Sequence, residues 1–172
     1  MADVALARQP FVRPRRFMHH RPKQGVEMHR VAVAVGLALA VLAPTARGQE
    51  NQWRTQVEGY LKRAAKTLSD RGYDQTHDTQ IGSLRDDEND SFTLTLHSGT
   101  AYALVGVCDN DCSDLDMVLY DADGGQVDSD VQTDDVPIVQ VTPRETMRYR
   151  VKVIMATCKT NPCWYGIGVY GK

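Results

Sequence analysis

Residues 148–155 read Arg-Tyr-Arg-Val-Lys-Val-Ile-Met, and their alternation decides the fold class. In an extended chain Tyr149, Val151, Val153 and Met155 fall on one face, with Arg150 and Lys152 on the other. A helix would scatter the same apolar groups around its circumference. The stretch predicts a strand from Arg148 to Ala156, buried on one side and wet on the other.

Working outward, the same period of two recurs. Phe92, Leu94 and Leu96 alternate with Thr93, Thr95 and His97, and Ser98-Gly99 then turns the chain into a second candidate, Thr100 to Cys108. Leu115 to Tyr120, a short Gln126 to Asp130, Val136 to Thr142 and Cys163 to Tyr170 complete the set. Asp123-Gly124-Gly125 and Pro143-Arg144-Glu145 punctuate it. Strands this short and this many predict an antiparallel β-sandwich over residues 91–172, with the alternating apolar faces between two sheets.

One helix precedes it. From Gln52 to about Asp70, Trp53, Val57, Tyr60, Leu61, Ala64 and Leu68 recur at spacings of three and four, which is one face of an amphipathic helix. Asn51 is the expected N-cap and Gly72 the expected left-handed stop, so the helical segment spans 49–72. Residues 73–90 are polar and end in Asp86-Asp87-Glu88-Asn89-Asp90, which predicts a linker or long loop.

The charge is divided. Residues 1–48 hold eight Lys and Arg against two Asp and Glu, a net of +6, and residues 49–172 hold twelve against twenty, a net of −8. An acidic body repels phosphate, which argues against nucleic acid as a partner. Val31 to Ala43 is an uncharged apolar run of thirteen residues, too short for a bilayer that needs about 20. It suits a secretory signal over 28–48, with cleavage after Gly48 and no membrane span afterwards. Residues 1–27, with three prolines and the cluster Arg13, Arg15, Arg16, read as an over-long start or an extended basic region. The chain is expected in the periplasm or outside the cell.

The four cysteines, Cys108, Cys112, Cys158 and Cys163, all follow that signal, so disulfides are expected over a zinc site. Cys158 and Cys163 bracket a four-residue loop between strands, which favours their pairing and leaves Cys108 to Cys112. A cross pairing such as Cys108 to Cys163 would instead staple distant strand ends.

Residues 90 to 170 also carry a family resemblance. Asp90-Ser91-Phe92-Thr93-Leu94-Thr95-Leu96, then Gly99-Thr100-Ala101-Tyr102, then Asp114-Leu115-Asp116-Met117-Val118-Leu119-Tyr120-Asp121-Ala122-Asp123-Gly124 and the closing Tyr165-Gly166-Ile167-Gly168-Val169-Tyr170 follow one another in order. This succession resembles the bacterial pre-peptidase C-terminal domain, whose core reads D-L-D-x-x-L-Y-D-x-x-G. The resemblance implies a jelly-roll-like sandwich acting as an accessory or binding module, with no proteolysis of its own. In the collagen-binding relatives the sandwich is calcium-stabilised. The cysteine pairs, the preceding helix and the lack of a peptidase domain upstream depart from the family.

Chemistry is sparse. His77 lies in the polar segment and His97 on an alternating strand, and Ser91, Ser98 and Ser113 lack a nucleophile elbow. The acidic stretch is richer, with ten aspartates and no Lys or Arg from Asp109 to Asp135. Calcium takes six to eight oxygens, and Asp109, Asp111, Asp114 and Asp116 alternate within one turn region, making them the first candidate ligands. By resemblance, Asp86, Asp87, Glu88 and Asp90 are the second. The leading expectation is an exported non-catalytic module that binds an envelope or extracellular protein or a polysaccharide. Two alternatives stand beside it: a small hydrolase using Asp114 and Asp116 as acid and base, and an envelope protein that docks through the helix.

Overall fold

The computed structural model describes residues 46–172, so the run 31–43 and residues 1–27 of the expected leader lie outside them. The described residues form a helix α1, Ala46–Ser69, and nine strands: β1 Asp74–Gln75, β2 Gln80–Leu84, β3 Asn89–Leu96, β4 Tyr102–Cys108, β5 Cys112–Tyr120, β6 Gln126–Asp130, β7 Ile138–Val141, β8 Met147–Cys158 and β9 Cys163–Gly171. All strand pairs are antiparallel. One sheet runs β1-β9-β4-β7, with β2 pairing the same edge of β9 as β1, and the other runs β3-β8-β5-β6.

The alternation explains the core. On β8, Tyr149, Val151, Val153 and Met155 are buried, and Leu94, Phe92, Met117 and Leu115 stand opposite them in register. The facing sheet contributes Leu104, Val139, Ile167 and Val169. The antiparallel β-sandwich preceded by one helix is the fold that the period of two predicts. Among the described residues no helix is long and apolar enough to cross a membrane.

Two strands that end their sheets, β6 and β7, are joined by side chains. Asp128 Oδ2 accepts the Gln140 N–H at 2.7 Å and Asp130 Oδ2 accepts the Ile138 N–H at 2.9 Å. Carboxylates on one edge thus satisfy edge amides of the other, which a free edge would leave open to pairing with another chain.

Helix α1 forms a third layer on the outer side of β9 and β4. Val57 and Leu61 are buried there with Val107, flanked by Tyr60 and Trp164. The apolar face that could have docked a partner is therefore spent within the chain. Gly72, at φ 81°, ends the helix in the left-handed conformation expected of it.

Two expectations are corrected. Residues 73–90 are no linker, because β1, β2 and the start of β3 fall within them. Their pairing comes from the otherwise open edge of β9, and strands there expose most of their residues, so no apolar alternation marks them. Asn51 lies inside α1 and does not cap it. No proline interrupts residues 46–52, and their glutamines and Glu50 favour continuation of the helix.

The helix reaches the sheet because β9 carries glycine beneath it. A Cβ at Gly166 would stand 2.6 Å from Val57 Cγ1 and 2.7 Å from Leu61 Cδ1. Gly166→Ala should destabilise the fold by about 1–3 kcal/mol, the usual cost of overpacking, in urea unfolding followed by circular dichroism. An unchanged midpoint would mean that α1 is not seated as described.

Candidate functional site

Both disulfides lie at one end of the sandwich, where the chain crosses between sheets. Cys108–Cys112 spans the turn from β4 to β5, and Cys158–Cys163 spans the loop from β8 to β9. Cys112 and Cys158 are direct partners across β5 and β8, so the two bridges are neighbours. Of the alternatives open in the sequence, the local pairing is the one formed.

Asp109 sits between them, 1% exposed, and is the only buried polar or charged residue among those described. Its Oδ2 accepts the Trp164 N–H at 2.7 Å, and its Oδ1 accepts the N–H groups of Asp111 at 3.1 Å and Cys112 at 3.3 Å. Its own N–H donates to the Trp164 carbonyl at 3.0 Å. Burial raises the carboxyl pKa above its ordinary value and these donors pull it back.

The same turn grips its other neighbours. Asn110 Oδ1 accepts from the Tyr60 hydroxyl at 2.6 Å, and the Asn110 N–H donates to Gln56 Oε1 at 3.1 Å. The Lys159 N–H donates to the Asp111 carbonyl at 2.8 Å. Helix α1, the 109–111 turn and the 159–162 loop are thereby tied together.

Between them opens a cleft of about 340 Å³, walled by Trp53 from α1 and Trp164 from β9. The chain has only these two tryptophans. Glu50, Ser83, Asp111 and Thr160 complete the polar lining. The side chains of those four make no hydrogen bond or ion pair among the described residues, and neither indole N–H donates to a protein acceptor. Asn161 contributes too, its Oδ1 already holding the Asp86 N–H at 2.7 Å. The cleft residues run from Glu50 to Trp164, more than a hundred positions apart in the chain. Two tryptophans are its only sequence signal.

The four aspartates expected to share a cation do not meet. Asp109 already accepts three backbone donors at the junction. Asp111 lines the cleft. Asp114 and Asp116 alternate with the buried Leu115 and Met117, so β5 turns them to the outer face of its sheet. Their cross-strand partners are Thr157 and Ile154, whereas Lys152 and Arg150 stand opposite Val118 and Tyr120. Both carboxyl pKa values are raised: Asp114 by burial and by Asp134, Asp116 by burial and by Asp114, Asp130 and Asp134. Asp114 Oδ1 is buried without a partner.

The second set is likewise divided among separate tasks. Asp86 Oδ1 accepts the Cys158 N–H at 2.6 Å, Glu88 Oε2 accepts the Arg85 N–H at 2.9 Å, and Asp90 Oδ2 accepts the Tyr165 hydroxyl at 3.0 Å. Asp87 occupies the turn at φ 62°. Among the described residues no three His, Cys, Asp or Glu side chains gather as a group that could hold a metal ion.

The histidines serve structure or solvent. His77 Nε2 lies 3.0 Å from the Thr95 carbonyl, so with its proton there Nδ1 accepts from Thr76 Oγ1 at 2.9 Å, joining the 76–79 turn to β3. His97 is exposed at the end of β3. Asp114 and Asp116 line none of the larger cavities beside α1 or at the strand ends. No protein-family model matches the chain, and no curated protein matches it either.

Asp109→Ala orphans two or three amides at the junction and should cost about 3 kcal/mol in urea unfolding, with a change in tryptophan emission. A cost below about 1 kcal/mol would deny Asp109 that role. Asp109, Asp114 and Asp116 have raised folded-state pKa values, so their contribution is fully present below the ordinary 3.8 and is lost as pH rises through the folded values. Asp114→Asn should therefore raise the melting temperature at pH 7 and flatten the fall in stability as pH rises above the ordinary carboxylate value. Chelator and then millimolar calcium should leave that melting curve in place. A calcium shift of several degrees, abolished by Asp114→Asn, would restore the cation reading.

Proposed function

We propose that this chain is an exported, non-catalytic β-sandwich that serves as a binding or accessory module, and that it binds through the cleft between Trp53 and Trp164. One observation carries the reading. Two tryptophans and a set of polar side chains that the fold leaves unused line one cleft, beside a junction held by the Asp109 carboxylate. Polar side chains that pair with nothing inside the chain, on a scaffold this restrained, are suited to a ligand.

Export is supported by the basic start, the apolar run 31–43 and the two disulfides, which persist in oxidising compartments. Cleavage after Gly48 would remove only Ala46 to Gly48 from α1 and leave Glu50, Trp53 and the rest of the site. The likeness to the pre-peptidase C-terminal domain supports the same role, since those sandwiches work as attachments to other activities. Binding without turnover is favoured over hydrolysis because the paired carboxylates Asp114 and Asp116 stand on a sheet face outside the cleft.

Expression in a bacterial host with an intact secretion pathway should yield a protein whose first residue is Gln49. That protein should be retained on envelope or extracellular-matrix fractions, with retention lost in Trp53→Ala at unchanged melting temperature. Retention equal in the variant would move the site elsewhere on the sandwich. Release of cleaved product from those fractions would make the protein an enzyme.

A further inference from the structure

Which chemistry the cleft accepts follows from its lining. Among the described residues no Lys or Arg lines it, and two of its polar groups, Glu50 and Asp111, are carboxylates. Both accept hydrogen bonds and neither donates when ionised. Ser83 and Thr160 add hydroxyls, which donate or accept as required. The donors that must be met are few: the two indole N–H groups and the Asn161 amide.

A ligand matched to this site offers flat apolar faces to the tryptophans and many donors around its edge. It carries no negative charge, because Glu50, Asp111 and the −8 body would repel one. A pyranose ring has that form, with C–H bonds on its faces and hydroxyls on its rim. Its C–H groups meet the negative π-face of an indole, and its hydroxyls donate to carboxylates. A proline-rich peptide also stacks on tryptophan, but its backbone presents carbonyl acceptors and almost no donors. Set against Glu50 and Asp111, those acceptors would leave both carboxylates desolvated and unpaired.

We propose that the Trp53–Trp164 cleft is a binding site for neutral or amine-bearing saccharide chains, recognised by stacking on the two indoles and by donation to Glu50 and Asp111. The walls are set before binding by the bonds of residues 109–111 to α1, β9 and the 159–162 loop, so little ordering remains to oppose association. This rests on the binding-module reading above and specifies its ligand.

Because the only two tryptophans of the chain line the cleft, intrinsic fluorescence reports on this site alone. The purified protein is titrated with N-acetylchitohexaose, cellohexaose, a chitosan hexamer, a galacturonate hexamer and decaproline. The neutral or amine-bearing oligomers should shift the emission saturably, and the galacturonate and decaproline should not. Trp53→Ala should weaken the effect about tenfold, as expected for loss of one aromatic platform, with Trp164 still reporting. Asp111→Ala should weaken it without altering the emission of the free protein.

No response to any saccharide at millimolar concentration overturns the proposal. So does a stronger response to galacturonate or to decaproline. If decaproline alone binds, the saccharide assignment falls and the binding-module reading stands. If the retention on envelope fractions is also unaffected by Trp53→Ala, both fall.

Discussion

The carboxylate of Asp109 is the constraint on which this end of the molecule depends. A β-strand crossing from one sheet to the other must leave its ladder, and the amides at the crossing lose their strand partners. Asp109 supplies acceptors for the amides of Asp111, Cys112 and Trp164 from a position that is almost wholly buried. A buried charge is costly, yet here it spans two chain segments that the Cys108–Cys112 ring alone would not join. The ring closes a turn within one segment. The carboxylate attaches that turn to β9, and Asn110 attaches it to α1.

The other aspartates are used in the same way more often than their density suggests. Asp86 holds the amide of Cys158, Asp121 holds those of Asp123 and Gly125, Asp134 that of Val136, and Asp128 and Asp130 those of β7. Loops and sheet edges lack a ladder to satisfy their backbone, and short carboxylates reach neighbouring amides with little entropy to lose. The acidity of residues 109–135 is thus largely a consequence of building a sandwich with many short crossovers. Asp114 and Asp116 accept no such amide, and burial together with neighbouring carboxylates raises their pKa values.

What could be read from the sequence divides along that line. Strands β3, β5 and β8 bury chiefly one face each, so alternation revealed them, and α1 was visible because its stripe covers β9 and β4, which are buried on both faces. The local disulfides followed from spacing. By contrast β1 and β2 are short, polar and paired only to the free edge of β9, and nothing in residues 73–90 encodes that edge. The calcium expectation treated nearness in sequence as nearness in space. In a strand, residues two apart do share a face, which is why Asp114 and Asp116 stand together, but Asp109 and Asp111 belong to a turn where direction changes at each residue. The cleft was hidden for the opposite reason, since residues from 50 to 164 meet there only after folding.

These features bear on one another through rigidity. Rings of four and five residues remove little entropy from the unfolded chain, so the disulfides are poorly placed to serve global stability. Their placement makes better sense as local restraint. Trp53 stands on a helix and Trp164 on a strand of another layer, and a shift of either by an ångström would spoil stacking against a shared ligand. Gly166 sets how closely the helix approaches, Asp109 sets where β9 meets the turn, and Asp111 sets where the 159–162 loop begins. A fold that merely needed to survive outside the cell could have placed its crosslinks between distant strands. This one concentrates them, with the one buried acidic residue among those described, around the cleft that holds both tryptophans.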